Sequence, residues 1–246
     1  MNLIIDIGNT RAKLAIFDQD KMLETEYSDN ATLGGFEDFV GRFPIQRAML
    51  SRVGKLGDVA LEKLKDLPFP LVELDAHTPL PVRLQWRQLG AQAAQPLPES
   101  MGADRIAALV GALALWPAEP LLIVDAGTCV TYEFIDDEGY YLGGNIAPGV
   151  EMRLRAMHEQ TALLPLVSAT GDLPPVGYDT PTCMRCGALR GLEYEVEGYI
   201  RCWRQRYPAL RTVLAGGTPL HIEEPVIQEK NLVLIGLNAT LNSLPR

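Results

Sequence analysis

The sequence has no long apolar run and few basic residues. Its longest apolar stretch, residues 106–116, is too short for a membrane span and ends at Pro117, which predicts a buried helix instead. The formal net charge is −9, so the clustered Lys and Arg that bind nucleic acid or anionic membranes are lacking. Nucleic acid and membrane are therefore not expected as partners.

Cysteine and histidine are also scarce. Four cysteines in 246 residues are too few and too unevenly spaced for a disulfide framework. Cys183 and Cys186 form one CxxC pair, but no second Cys or His pair lies nearby to complete a tetrahedral zinc site. We interpret the thiols as structural or incidental.

Three further features are missing from the sequence. Residues 1–6 contain no basic stretch and only a very short apolar run, which does not fit a secretory signal, so a cytoplasmic location is expected. Neither GxxxxGK[ST] nor GxGxxG occurs, which excludes P-loop and Rossmann nucleotide sites. Hydrophobic residues make up 47% and charged residues 22%, which is typical of a globular protein.

Hydrophobic periodicity predicts alternating strands and helices. Strands are expected at residues 3–8, 13–17, 22–27, 47–51, 71–74, from 121 to Asp125, and at 130–135, 211–214 and 232–235. Helices are expected at residues 59–66, 103–116, 150–161, 182–207 and 237–244, with an irregular surface segment at 85–100 and a glycine-rich turn at 143–149.

The chain repeats itself. An apolar strand that ends in Asp-x-Gly occurs at Asp6 and again at Asp125, and the segments after it align if one residue is dropped from the second turn. Such self-similarity indicates duplication. We expect two related α/β halves, residues 1–118 and 119–246, that face each other across a central ligand cleft.

The repeated motif suits a phosphate group. Asp6, Gly8 and Thr10 crowd around one tight hairpin, where backbone N–H groups and a hydroxyl can meet an anion and the carboxylate can hold hydrated Mg²⁺. One copy fits an ordinary hairpin equally well. The second copy, residues 125–128, favours phosphate binding, because two such loops can hold a polyphosphate from both sides.

Two other motifs have a structural and a functional interpretation. Gly216 and Gly217 follow a predicted strand and can let backbone approach adenosine, although such a pair is more often a turn. Asp104 and Arg105 lie in the first turn of a predicted helix, where Asp commonly caps and where Arg can also bind a carboxylate. The glycine-rich turn at residues 143–149 fits either a plain reversal or a wall of the cleft, and we interpret it as mainly structural.

Five motifs follow one another along the chain: Asp6-Ile7-Gly8-Asn9-Thr10, Gly102-Ala103-Asp104-Arg105, Asp125-Ala126-Gly127-Thr128, Gly143-Gly144 to Pro148-Gly149, and Gly216-Gly217. With these motifs in this order, the chain resembles the type III pantothenate kinases from end to end. The resemblance implies a duplicated ribonuclease-H-like fold of the actin-like ATPases and a homodimer with the substrate site near the subunit interface. It further implies ATP-dependent phosphorylation of pantothenate to 4′-phosphopantothenate, the first step of coenzyme A biosynthesis. Mg²⁺ and a monovalent cation (K⁺ or NH₄⁺) would assist.

The resemblance also implies roles for individual residues. Phosphates would be held by a first loop and by Thr128 of the second, the first loop being Asp6, Ile7, Gly8, Asn9, Thr10, Arg11, Ala12 and Lys13. Asp125 would bind the monovalent cation, and Asp6 would bind Mg²⁺ through water. Pantothenate would contact Gln95, Gly102, Ala103, Asp104, Arg105 and Thr180, with Asp104 as the base. The family commonly has Tyr where this chain has Gln95, and Ser near the position of Cys183.

Other functions remain open at this point. A related kinase would phosphorylate a sugar or a carboxylic acid, and a regulatory accessory factor would bind nucleotide without chemistry. A filament-forming actin relative is a third possibility. The three carboxylates Asp6, Asp104 and Asp125 favour catalysis, because a protein without catalysis has no chemical need for them beside a phosphate site.

Overall fold

The computed structural model describes residues 1–245, and the chain divides into two compact units. Unit 1 comprises residues 1–118, 139–142 and 231–246, and unit 2 comprises residues 119–138 and 143–230. The two halves expected from the sequence, with their boundary at residue 118, stay a prediction.

Strands and helices alternate along most of the chain. The strands are β1 (Asn2–Ile7), β2 (Ala12–Asp18), β3 (Lys21–Ser28), β4 (Arg47–Arg52), β5 (Leu71–Glu73), β6 (Leu121–Ala126), β7 (Cys129–Ile135), β8 (Tyr141–Pro148), β9 (Arg211–Gly216) and β10 (Ile227–Gln228). The helices are α1 (Phe36–Gly41), α2 (Asp58–Lys65), α3 (Ala103–Leu115), α4 (Val150–Glu159), α5 (Thr180–Arg206) and α6 (Leu232–Ser243). The short elements α1 and β10 were not predicted.

Unit 1 is built on a mixed five-stranded sheet in the order β3-β2-β1-β4-β5. Strand β1 lies in the centre, antiparallel to β2 and parallel to β4. Its apolar side chains on both faces are buried, as expected of a central strand with both faces of its sheet covered. One face packs in a core with Phe36 and Phe39 of α1.

The second sheet repeats this plan. Its order is β8-β7-β6-β9-β10 when read in the matching direction, and β6 is antiparallel to β7 and parallel to β9. Each sheet therefore places an antiparallel hairpin beside parallel neighbours. The duplication expected from the repeated motif is confirmed at the level of strand order.

The two hairpin loops differ in length as the alignment requires. Ile7 pairs with Ala12, which leaves residues 8–11 in the first loop. Ala126 pairs with Val130, which leaves one residue fewer in the second loop. The residue dropped in the sequence alignment is thus a real shortening of the turn.

The prediction of a strand at residues 232–235 followed by a helix at 237–244 is wrong. These residues form one helix, α6, which packs on α3. An apolar run of this length fits a buried strand or a buried helix equally, and periodicity alone does not separate the two. Gly236 permits close packing, since a Cβ on it would lie 1.8 Å from the carbonyl oxygen of Ala107 on α3.

The glycine-rich turn predicted at residues 143–149 is also wrong, because most of it belongs to strand β8. This strand lies at the edge of its sheet, and residues 144–146 are exposed. Edge strands tolerate Gly and Pro that an interior strand would exclude. Gly143 adopts a φ of 121°, which favours glycine there.

Within residues 1–245, none of the helices combines the length and apolar character that crossing a lipid bilayer requires.

Candidate active site

The first hairpin loop follows Asp6 at the end of β1. Asp6 is paired in register with Lys13 on β2. The N–H of Gly8 donates to the carbonyl of Arg11 at 3.2 Å, which closes the loop, while residues 9–11 are exposed. The loop thus presents polar groups at the carboxyl end of a parallel strand, where open α/β sheets bind ligands.

Two close neighbours, Asn30 and Gly54, fix the orientation of the Gly8 carbonyl. Asn30 Nδ2 donates to it at 2.8 Å, and a Cβ on Gly54 would lie only 2.0 Å from the same oxygen. Because a trans peptide is planar, the N–H of Asn9 points away from this contact. The contacts of Asn30 and Gly54 with the Gly8 carbonyl therefore orient the N–H of Asn9 outward, as an anion-binding loop requires.

Two cations of the first loop have fixed neighbours. Lys13 Nζ donates to Asn231 Oδ1 at 2.7 Å, at the start of α6. The Arg11 guanidinium carbon lies 4.0 Å from the centre of the Tyr27 ring, a cation–π contact. The positive charges at both ends of this segment, on Arg11 and Lys13, thus have fixed partners in unit 1.

The second hairpin loop follows Asp125 and is closed in the same way. Gly127 N–H donates to the carbonyl of Cys129 at 2.9 Å, and the carbonyl of Thr128 accepts from Gly149 N–H at 3.0 Å. A Cβ on Gly149 would lie 2.3 Å from the carbonyl oxygen of Gly127. Gly149 precedes α4, so the start of this helix packs directly on the loop.

The glycine at 216 is explained by its own packing. Its φ is 88°, and a Cβ there would lie 2.3 Å from the carbonyl oxygen of Ala126. Thr218 N–H donates to this carbonyl at 2.9 Å, as Gly54 N–H donates to the equivalent carbonyl of Ile7 at 3.0 Å. Adenosine contact at Gly216 and Gly217 stays a prediction.

The start of α3 carries the other acidic candidate. Gly102 precedes the helix, and Asp104 Oδ1 accepts from the N–H of Arg105 at 2.8 Å. A Cβ on Gly102 would lie 2.6 Å from that oxygen, so glycine leaves room for the carboxylate. Burial raises the pKa of Asp104, and the N–H and charge of Arg105 oppose the rise.

Val53 connects the first loop to the start of α3. Its N–H donates to the carbonyl of Ile7 at 3.0 Å, and its Cγ1 lies 3.5 Å from the position of a Cβ on Gly102. The structure therefore brings together two motifs that lie far apart in the sequence. The Asp104 carboxylate, whose pKa is raised, thus lies in the same part of unit 1 as the first hairpin loop.

Gln95 lies in the irregular segment that the sequence predicts, but its backbone is paired. Trp86 and Gln95 exchange two backbone hydrogen bonds, at 2.9 and 2.8 Å. On the other side, Arg87 N–H donates to the carbonyl of Tyr141 at 2.9 Å, and Arg105 Nη2 donates to the Tyr141 hydroxyl at 2.8 Å. Gln95 and Arg105 thus belong to one connected group in unit 1.

Thr180 is the exposed first residue of α5, in unit 2. Asp179 caps this helix by accepting from Thr182 N–H at 2.9 Å. The contact of Thr180 with substrate stays a prediction.

The possible metal ligands are few. Over residues 1–245, no group of three or more His, Cys, Asp or Glu side chains is arranged to hold a metal ion. Asp6 and Asp125 each stand at the end of the first strand of a hairpin. Single carboxylates suit Mg²⁺, which keeps several waters and takes further oxygens from phosphate.

Four residues that pack against the predicted motifs were not expected from the sequence: Asn30, Val53, Gly149 and Tyr141. Gly149 lies in the glycine-rich segment that was interpreted as mainly structural. The others act through contacts between residues distant in sequence, and no local pattern marks them.

Comparison with known proteins gives one consistent family. A family model described as type III pantothenate kinase matches residues 2–202. A Bacteroides fragilis protein named type III pantothenate kinase is 43% identical over 246 residues, which covers 98% of each chain. A Phocaeicola vulgatus protein of the same name is 41% identical, again over 98% of each chain.

Solved structures show the same fold. A Campylobacter jejuni structure described as a conserved Baf family transcriptional activator has a TM-score of 0.57 and 19% identity, and it covers 98% of this chain and 97% of its own. At that identity the likeness concerns the fold alone. Two mixed five-stranded sheets with flanking helices are those of the expected duplicated ribonuclease-H-like fold.

Proposed function

Because the chain belongs to the type III pantothenate kinase family, we propose that it transfers the γ-phosphate of ATP to the primary hydroxyl of pantothenate. The products are ADP and 4′-phosphopantothenate, and the reaction is the first step of coenzyme A biosynthesis, which we place in the cytoplasm. The observation that carries the proposal is the position of Val53. Its N–H bonds to the carbonyl of Ile7 at the start of the first hairpin loop, and its side chain lies beside Gly102, just before Asp104.

The phosphates of ATP are assigned to the two hairpin loops. Asp6 to Lys13 forms the first, with Arg11 and Lys13 offsetting charge, and Thr128 belongs to the second. Two observations support this assignment. The hydrogen bond from Asn30 to the Gly8 carbonyl orients the Asn9 amide outward, and the hydrogen bond from Gly149 to Thr128 packs the start of α4 on the second loop. Preorganised donors of this kind carry most of the catalysis in phosphoryl transfer.

Asp104 is assigned as the general base. It accepts the proton of the pantothenate hydroxyl as that oxygen attacks the γ-phosphorus. Burial raises the pKa of Asp104, so its carboxylate is a better proton acceptor than an exposed aspartate.

Pantothenate itself is assigned to Gly102, Ala103, Arg105, Gln95 and Thr180. Its carboxylate suits the planar guanidinium of Arg105, which can donate two parallel hydrogen bonds. The first turn of a helix also favours an anion through the N-terminal end of its dipole.

Two cations complete the proposal. Asp6 would hold Mg²⁺ through water, and Asp125 would hold K⁺ or NH₄⁺. These ions would offset negative charge on the phosphates.

We also infer a homodimer. Unit 2 exposes a set of large apolar side chains that a monomer would leave in water, namely Leu163, Leu166, Val176 and Tyr178, the first of them 92% exposed. Light scattering after size-exclusion chromatography should give twice the mass of the chain, and Leu163→Glu with Leu166→Glu should lower it. A monomer at micromolar concentration would contradict this inference.

A panel of acceptors tests the proposed activity. ADP release is measured with ATP, Mg²⁺ and either pantothenate, a sugar or a small hydroxy acid, each with and without K⁺. We expect release only with pantothenate and a marked increase with K⁺. Release with another acceptor would indicate a different kinase, and nucleotide binding without release would indicate a regulatory protein.

A further inference from the structure

The side chain of Tyr141 meets the guanidinium of Arg105. Arg105 Nη2 donates to the Tyr141 hydroxyl at 2.8 Å, and Tyr141 is 3% exposed. The tyrosine comes from residues 139–142, which belong to unit 1 although they lie well after α3 in the sequence. A buried hydroxyl thus contacts the one cation of the turn that carries Asp104.

The backbone of Tyr141 is itself fixed. Its N–H donates to the carbonyl of Gln85 at 2.9 Å, and its carbonyl accepts from Arg87 N–H at 2.9 Å. Trp86, between these two partners, is paired on its other side with Gln95. The tyrosine therefore has little freedom to move away from Arg105.

Arg105 needs such a partner. It lies in the first turn of α3, where the helix dipole disfavours a positive charge. The guanidinium is planar and sits on a long side chain with several rotatable bonds. Without a fixed partner, the conformational entropy lost when a carboxylate orders this side chain would weaken binding. A hydrogen bond from Nη2 to a fixed hydroxyl sets the direction of the plane before any ligand arrives.

We propose that Tyr141 is a positioning residue, whose hydroxyl orients Arg105 to receive the carboxylate of the substrate. This inference rests on the proposed function, since it assumes that Arg105 binds pantothenate. Tyr141 does not touch the reacting atoms and acts only through Arg105. It therefore governs acceptor affinity and leaves ATP binding and the chemical step alone.

A single-atom change separates this role from a structural one. Tyr141→Phe removes the hydroxyl but keeps the buried ring and both backbone hydrogen bonds, to Gln85 and from Arg87. Tyr140→Phe is the matched control. The Tyr140 ring centre lies 4.1 Å from the Arg87 guanidinium carbon, and phenylalanine preserves this cation–π contact while it removes a hydroxyl from the neighbouring residue.

We expect Tyr141→Phe to raise the KM for pantothenate by up to about tenfold, because the substrate must then order the Arg105 side chain itself. The kcat, the KM for ATP and the Tm should stay close to those of the unchanged protein. Tyr140→Phe should behave as the unchanged protein. An unaltered pantothenate KM in Tyr141→Phe, or equal losses for both substrates with a lower Tm, would overturn the positioning role.

A double-mutant cycle adds a second readout. If Tyr141 acts through Arg105, then Tyr141→Phe should have no further effect on pantothenate KM in an Arg105→Lys background. Additive effects would contradict the proposal. Failure of the proposed function is distinguishable, because the unchanged protein would then give no product from pantothenate at all.

Discussion

Asp104→Asn should lower kcat by about 10²–10⁴-fold, the usual effect of removing a positioned general base. The amide keeps the shape and the hydrogen bond from Arg105 N–H but cannot accept the substrate proton at neutral pH. ATP binding should change little, because the phosphates are assigned to the hairpin loops. Steady-state kinetics with pantothenate and ATP measure this, with Asp58→Asn as a control at an exposed first-turn aspartate of α2. Near-normal turnover of Asp104→Asn would show that another group takes the proton.

The same substitution should not destabilise the protein near neutral pH. The folded pKa of Asp104 is raised above its ordinary value of 3.8. Its contribution to stability is therefore fully present below that value and is lost as pH rises through the raised pKa. Above it, burial of the charge opposes folding, so Asp104→Asn should unfold at an equal or higher urea concentration than the unchanged protein. The difference should shrink toward pH 4, and a large loss of stability at pH 7 would contradict burial as the cause.

Gly236→Ala should destabilise the protein by about 3 kcal/mol, the upper end of the usual cost of overpacking, because the contact is with backbone. The new Cβ would lie 1.8 Å from the carbonyl oxygen of Ala107 and 2.8 Å from the N–H nitrogen of Gly111, and backbone atoms cannot move aside easily. Helices α3 and α6 would have to separate. Urea denaturation followed by circular dichroism measures the loss.

Gly198→Ala is the matched control for this prediction. It is also a glycine within a helix, α5, but a Cβ there meets nothing within 4 Å. We expect unchanged or slightly higher stability, because alanine favours a helix by about 1 kcal/mol relative to glycine. Equal losses from both substitutions would mean that the α3–α6 contact is looser than the structure has it.

Local patterns in the sequence predicted much of this fold. The Asp-x-Gly repeat predicted the duplication and even the shorter second turn, because a strand followed by a tight hairpin is encoded by adjacent residues. Helix α3 and the long helix α5 were predicted to within two residues at each end, since their periodicity extends over many turns. Only contacts distant in sequence decided that residues 232–235 are helical.

The candidate site was predictable only as separate motifs. The acidic hairpins and the Gly102–Arg105 turn are visible in the sequence, but the proximity of the first hairpin to that turn through Val53 is not. Tyr141 could not be recognised either, because its partner Arg105 lies in another part of the chain. The residues that orient a site act through tertiary contacts, so they leave no local pattern to find.

Both acidic hairpins are proposed to hold the phosphates of one nucleotide. Hydrogen–deuterium exchange is measured with and without a non-hydrolysable ATP analogue and Mg²⁺. We expect slower exchange at residues 8–13 and at residues 127–130 in the same titration. Slower exchange in only one of these loops at saturating analogue would show that the two hairpins do not share a nucleotide.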